Sequence, residues 1–251
     1  MKKLILIFIT LTSYLQSDTI TLIADEWCPY NCSKNSKNLG YMVDITKLIF
    51  EKKGHNVVYE ENIAWDKAIQ LTREGKYTAV IGAYKDDAVD FIFPKVSQGI
   101  STNSFFTKQS SSWVYKDISS LKDITIGAVQ GYSYGPELDQ YIKKYKNDST
   151  KVQLISGNRS IYYNAKKLLY GTIDTMLEDS NVLEYYFKVK NKNIPFKIVG
   201  TSYFDDIYIA FSPKNPNAQK YADILSNGMI EIRKNGELNK ILSKYSLKDW
   251  E

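Results

Sequence analysis

Histidine is almost absent from this chain: His55 is the only one in 251 residues. Cys28 and Cys32 are the only thiols, so there is no zinc constellation and no Ser-His-Asp or Cys-His set with spare candidates. Arginine is nearly as scarce, at Arg73, Arg159 and Arg233. The lysines are scattered among Asp and Glu, so the net charge of +5 reads as solvated surface rather than a nucleic-acid footprint. No GxGxxG or P-loop occurs, and a nucleotide is not indicated. No cofactor is expected. Past the N-terminus, no segment is long and apolar enough to cross a membrane.

The exception at the N-terminus is Lys2 and Lys3 followed by the apolar run Leu4 to Leu15. That run is too short to span a bilayer and matches a secretory signal peptide, with cleavage expected near Ser17. Its removal lowers the net charge from +5 to +3. The remaining chain is expected to be soluble, monomeric and periplasmic. In an exported chain the close pair in WCPYNC is expected to oxidise, giving a disulfide between Cys28 and Cys32. The rival reading, a redox or metal pair, lacks both the CxxC spacing and further ligands.

What is present is an alternation of short apolar strands and amphipathic helices. Strands are expected at 19–24, 56–60, 78–83, 124–129, 152–155, 173–177, 196–199 and 203–211. Helices are expected around 42–53, 65–74, 136–145, 160–170 and 181–188, with two more before the C-terminus. Ser104 to Tyr115 reads as an extended crossover. The stretch Ile124 to Lys144 is the centre of this pattern. A β-branched strand runs into a turn at Gly131 and Gly135, and then into a helix opened by Pro136. Such a junction presents free backbone N–H groups beyond the strand's end, either as a ligand cradle or as an ordinary connection. In α/β sheets, ligands sit at the carboxyl ends of strands. Those ends here carry Asp25-Glu26-Trp27, Ile63-Ala64-Trp65 and Gly82-Ala83-Tyr84-Lys85.

Six local patterns, in order, resemble the polar-amino-acid type of extracytoplasmic solute-binding protein (bacterial solute-binding protein family 3). They are GYMVDI at 40–45, AIQLTREGKYTAVI at 68–81, VDF at 89–91, SLKDITIGAVQG at 120–131, LLYGTIDTMLEDSNVLEYY at 168–186 and KNGELNKILSKY at 234–245. The resemblance implies an α/β, two-lobed, class II periplasmic-binding-protein fold, with a ligand cleft between lobes joined by two extended hinge segments. The implied division is a signal peptide at 1–17, a first lobe at 18–110 and 206–251, and a second lobe at 111–205, with crossovers near Ser110 and Tyr203.

The implied ligand loop of the second lobe is Gln130, Gly131, Tyr132 and Ser133. The implied aromatic walls are Tyr30, Trp65 and Tyr84, and core packing is the competing role for each. Glu26, Trp27 and Gly82 belong to the same strand-end loops. Asp179, next to Glu178, falls where family members hold the ligand's α-amino group; its alternative is to cap the helix that starts near Asn181. The departure is the family's arginine after the third strand. Gly82 is followed here by AYKDDAVDF, which contains none. Lys85 or Arg159 could meet a carboxylate instead, although Lys offers no planar fork. The acidic candidates Asp25, Glu26, Glu178 and Asp179 permit an amine or cationic ligand.

The function implied is periplasmic binding of a small polar solute, an amino acid or amine, for delivery to an ABC permease. The alternatives are a sensing module for a membrane receptor and, less well matched, a cyclohexadienyl-dehydratase-like enzyme. That enzyme would need a cleft arginine, so a non-enzyme is expected.

Overall fold

A computed structural model describes residues 17–61, 63–157 and 159–251. The expected signal segment therefore lies outside the described residues, apart from Ser17. The described residues form one mixed sheet in the order β2-β1-β3-β8-β4-β7-β5-β6. The strands are β1 (Thr19–Ile23), β2 (Asn56–Glu60), β3 (Ala79–Ala83), β4 (Gly99–Lys108), β5 (Ile126–Val129), β6 (Val152–Ile155), β7 (Thr175–Asp179) and β8 (Phe196–Phe211). The helices are α1 (Tyr41–Lys52), α2 (Trp65–Arg73), α3 (Pro136–Tyr145), α4 (Ser160–Tyr170), α5 (Ser180–Lys188), α6 (Ala218–Lys234) and α7 (Glu237–Lys244).

Strand alternation sorts side chains to the two faces of the sheet. In β1, Ile20 and Leu22 enter the core beneath α1, α6 and α7, while Ile23 turns to the α2 side. In β3, Ala79 and Ile81 take the first face and Val80 the second; Ala83 joins Val80 past a shift of register between Ile81 and Ala83. The second lobe repeats the arrangement. Phe105 and Leu177 pack with Leu138 of α3, while Phe106 and Met176 pack with Leu168 of α4 and Leu183 of α5.

The lobes are joined by β4 and β8, which pair antiparallel from Gly99↔Ile207 to Lys108↔Phe196. The sequence suggests two strands, at 196–199 and 203–211. They form one continuous strand instead. Gly200 does not break it; a Cβ there would sit 2.8 Å from Tyr115 Cβ, so the glycine admits a packed tyrosine. The crossover strand begins at Gly99, earlier than the expected Ser104. Gly99 pairs with Ile207, and a Cβ there would collide with the Tyr41 hydroxyl. Ser110 falls just past the end of β4, and Tyr203 lies within β8.

Trp250 packs on the first lobe. Its ring lies 6.2 Å from Tyr41 and 5.2 Å from the Arg233 guanidinium, and its indole N–H donates to Ser97 Oγ at 3.3 Å.

Candidate functional site

The carboxyl ends of β1 and β3 and the N-terminus of α2 meet the Gln130–Ser133 loop of the second lobe. β1 runs directly into Asp25, which is buried; its backbone carbonyl accepts from the Asn31 side chain. The loop then bridges Trp27 to Asn31 and is closed by a disulfide between Cys28 and Cys32, around a cis Cys28–Pro29 bond. Trp27 stacks on Tyr30 with ring centres 4.0 Å apart and meets Tyr132 edge-on at 6.4 Å. Gly82 lies against that indole with φ at +89°, a backbone conformation that favours glycine. The chain continues through Tyr84 into a short 3-10 turn, Lys85–Asp87, where an Asp87 oxygen accepts from the Tyr84 N–H at 2.9 Å.

On the facing side, the loop after β5 is held by the first turn of α3. Asp139 accepts from Ser133 Oγ at 2.6 Å and from the Tyr134 N–H at 2.7 Å. Tyr132 then reaches across, and its hydroxyl donates to the Asp25 carboxylate. Asn103 of β4 donates to the Tyr84 hydroxyl at 3.0 Å and to the Ser133 carbonyl at 3.3 Å. Together Asp25, Trp27, Trp65, Ile81, Gly82, Tyr84, Asp87, Asn103, Tyr132 and Ser133 enclose a cavity of about 30 Å³. By the rule that a water needs roughly 10–15 Å³ of such space, this holds about two or three waters. The Tyr132–Asp25 bond crosses this space between the lobes.

Of the residues expected at the site, Trp27, Trp65, Gly82, Tyr84, Tyr132 and Ser133 line this cavity. Asp179 does not. It is fully buried and serves as the cap of α5, accepting the Val182 N–H at 3.1 Å. Its other donors are Tyr30 (3.1 Å), Ser101 Oγ (2.9 Å) and the Thr102 N–H (2.8 Å). Tyr30 is buried with it, and its hydroxyl receives the Asn181 amide at 2.9 Å. Glu178 lies behind Trp27 and accepts the indole N–H at 3.4 Å and the Asp179 N–H at 2.9 Å.

Four further expected residues point elsewhere. Glu26 lies in a separate groove that also holds Arg159. Gln130 lines an outer hollow. Lys85 places its ammonium 4.8 Å over the Tyr208 ring. Arg159 donates to the Tyr163 hydroxyl at 2.9 Å. Neither basic residue is among those lining the cavity. Sequence reasoning missed Asp87 and Asn103. The doubled aspartate Asp86-Asp87 was the available signal for one; Asn103 sits among Ser101, Thr102 and Ser104, and nothing in that stretch singles it out.

The carboxylates here are held in the neutral direction. Burial pushes Asp25 up to about 6, against the Tyr132 bond that favours its charge. Burial, with Asp139 and Asp86 nearby, pushes Asp87 to about 7. Burial, with Asp179 and Asp25 close by, pushes Glu178 to about 8. Burial also raises Asp179 to about 6 despite its donors.

The fold has well-matched relatives. A structure reported for glutathione import via GshT and the cystine ABC importer TcyBC of Streptococcus mutans has a TM-score of 0.73 at 18% identity, covering 91% of this chain and 95% of that one. A histidine kinase sensor domain with similarity to periplasmic binding proteins gives 0.72 at 18%, covering 91% and 96%. An ancestral arginine-binding protein bound to arginine gives 0.69 at 23%, covering 91% and 98%. No curated protein sequence matches significantly. The sequence profile of bacterial extracellular solute-binding proteins, family 3, matches residues 20–248. With that match spanning nearly all of a two-lobed chain, the protein belongs to the bacterial extracellular solute-binding proteins, family 3.

Proposed function

We propose that the protein binds a small polar solute, an amino acid or an amine, between its lobes in the periplasm and delivers it to a membrane ABC permease. The observation that carries this reading is the cavity at the lobe junction, walled by residues of both lobes and bridged by the Tyr132–Asp25 hydrogen bond. A guest that contacts both walls favours the closed arrangement by its differential affinity for it. The hinge is the β4–β8 pair, bending near Asn103 and Tyr203, which face one another in the register.

The experiment is a thermal-shift panel on refolded protein: amino acids, polyamines, quaternary amines, small peptides and dicarboxylates. A solute at 100 times its Kd adds about 2.7 kcal/mol of stability, a rise of a few degrees in Tm. A flat panel argues against solute binding. Stimulation of a reconstituted permease's ATPase by the loaded protein then separates delivery from receptor sensing. Catalysis of the dehydratase kind has little support in the cavity. Glu178, its candidate acid, is engaged behind Trp27, and no arginine is among the lining residues.

A further inference from the structure

A hollow of about 420 Å³ shares Tyr84, Asp87, Tyr132 and Ser133 with the cavity, and both spaces are lined by carboxyl groups. Asp25 and Asp87 line the cavity; Asp86 and Asp139 join Asp87 in the hollow. Among the described residues, no Lys, Arg or His side chain lines either space. Lys85 is next in sequence to Asp86, yet its ammonium rests on the Tyr208 ring. Helix N-termini are the other source of positive potential, and here the chain's own acids already attend them. Asp66 sits in the first turn of α2, and Asp139 takes the loop donors at the start of α3.

An anionic group entering this space meets carboxylates and no counter-charge. A cation meets the same carboxylates together with the rings of Trp27, Trp65, Tyr84 and Tyr132. The Tyr132 hydroxyl, which now donates to Asp25, is the group an ammonium would replace as the lobes part.

We propose that the solute is an organic amine cation without a carboxylate, its ammonium seated among these rings against Asp25 and Asp87. The second acidic cluster in the hollow suits a second ammonium, so the preferred form is a diamine whose chain passes Asp86 and Tyr203. This inference rests on the reading of the cleft as the solute site.

The test is calorimetric titration of the whole protein with matched pairs that differ by one carboxylate: cadaverine against L-lysine, putrescine against L-ornithine, agmatine against L-arginine. The expected result is that the decarboxylated member binds about tenfold or more tightly in at least one pair and is never the weaker member. Asp87→Asn should then weaken that amine by about tenfold. Asp25→Asn provides the same readout if the first variant misfolds, with circular dichroism checking both. An amino acid that binds as tightly as its amine, or more so, overturns this inference and leaves solute binding standing. No heat from any of the six, together with a flat thermal-shift panel, overturns both.

Discussion

Asp179 accepts hydrogen bonds from Tyr30, Ser101, Thr102 and Val182 and has no solvent exposure. Asp179→Asn would turn an amide N–H₂ toward donors and leave at least one of them unmet. The expected loss is about 2–4 kcal/mol in urea unfolding. If stability is unchanged while solute affinity collapses, Asp179 contacts the solute after all. The carboxylates also set a pH dependence. Asp25, Asp179, Asp87 and Glu178 titrate at about 6, 6, 7 and 8 in the folded chain, against roughly 4 when unfolded. Between pH 4 and 8 the folded state therefore binds more protons, so its stability falls as pH rises. The exposed acids that are lowered, such as Asp90 beside Arg73, act in the opposite sense at pH values below about 4. Unfolding midpoints should be higher at pH 5 than at pH 8, and Glu178→Gln should flatten the upper part of that slope. At this scale the sequence shows aromatic residues at strand ends, because position alone places them. It does not show which acids face inward. Asp87 enters through the short 3-10 turn and Asp179 withdraws into a cap, and both depend on backbone geometry that the residue names do not carry.

The start of α1 depends on one residue. Gly40 precedes it with φ +105°, and a Cβ there would lie 2.4 Å from Asn31 Cα and 2.5 Å from the Tyr30 carbonyl. Backbone cannot yield as a flexible side chain would. Gly40→Ala should cost about 2–4 kcal/mol, read as a drop in Tm, and should loosen the loop that carries Trp27. A variant as stable as the parent would mean that the loop can relocate. Helix spans were legible because they announce themselves locally. The spans of α3 and α4 agree with the structure because Pro136 opens one and Gly171 closes the other in a left-handed conformation. β8 was not legible as one strand. Its continuity is set by pairing with β4 and by Tyr115 over Gly200, contacts distant in sequence.

At the scale of the whole molecule, the two-lobed plan was legible because the strand–helix alternation occurs twice. The closeness of the lobes was not, because it depends on side chains meeting across the cleft. Tyr132→Phe tests that contact. Removing the hydroxyl leaves Asp25 without its cross-lobe donor. The average particle should open, raising the radius of gyration in small-angle scattering of the solute-free protein. Solute affinity should fall about fivefold to thirtyfold if Tyr132 also touches the guest. An unchanged radius would show that other contacts hold the lobes together.

The route of the chain through the first lobe has a consequence for the order in which the molecule can be made. The first core needs Ile207 to Phe211 from β8 and the buried faces of α6 and α7, from Ala218 to Tyr245. A ribosome that has produced the first two hundred residues has therefore made most of the first lobe without the parts that bury it. β3 lacks its β8 neighbour, and α1 lacks α6 and α7. The second lobe's core residues, from Phe105 to Val199, all lie between these pieces in the chain. The main core of the first lobe can close only once residues 207–245 have been made.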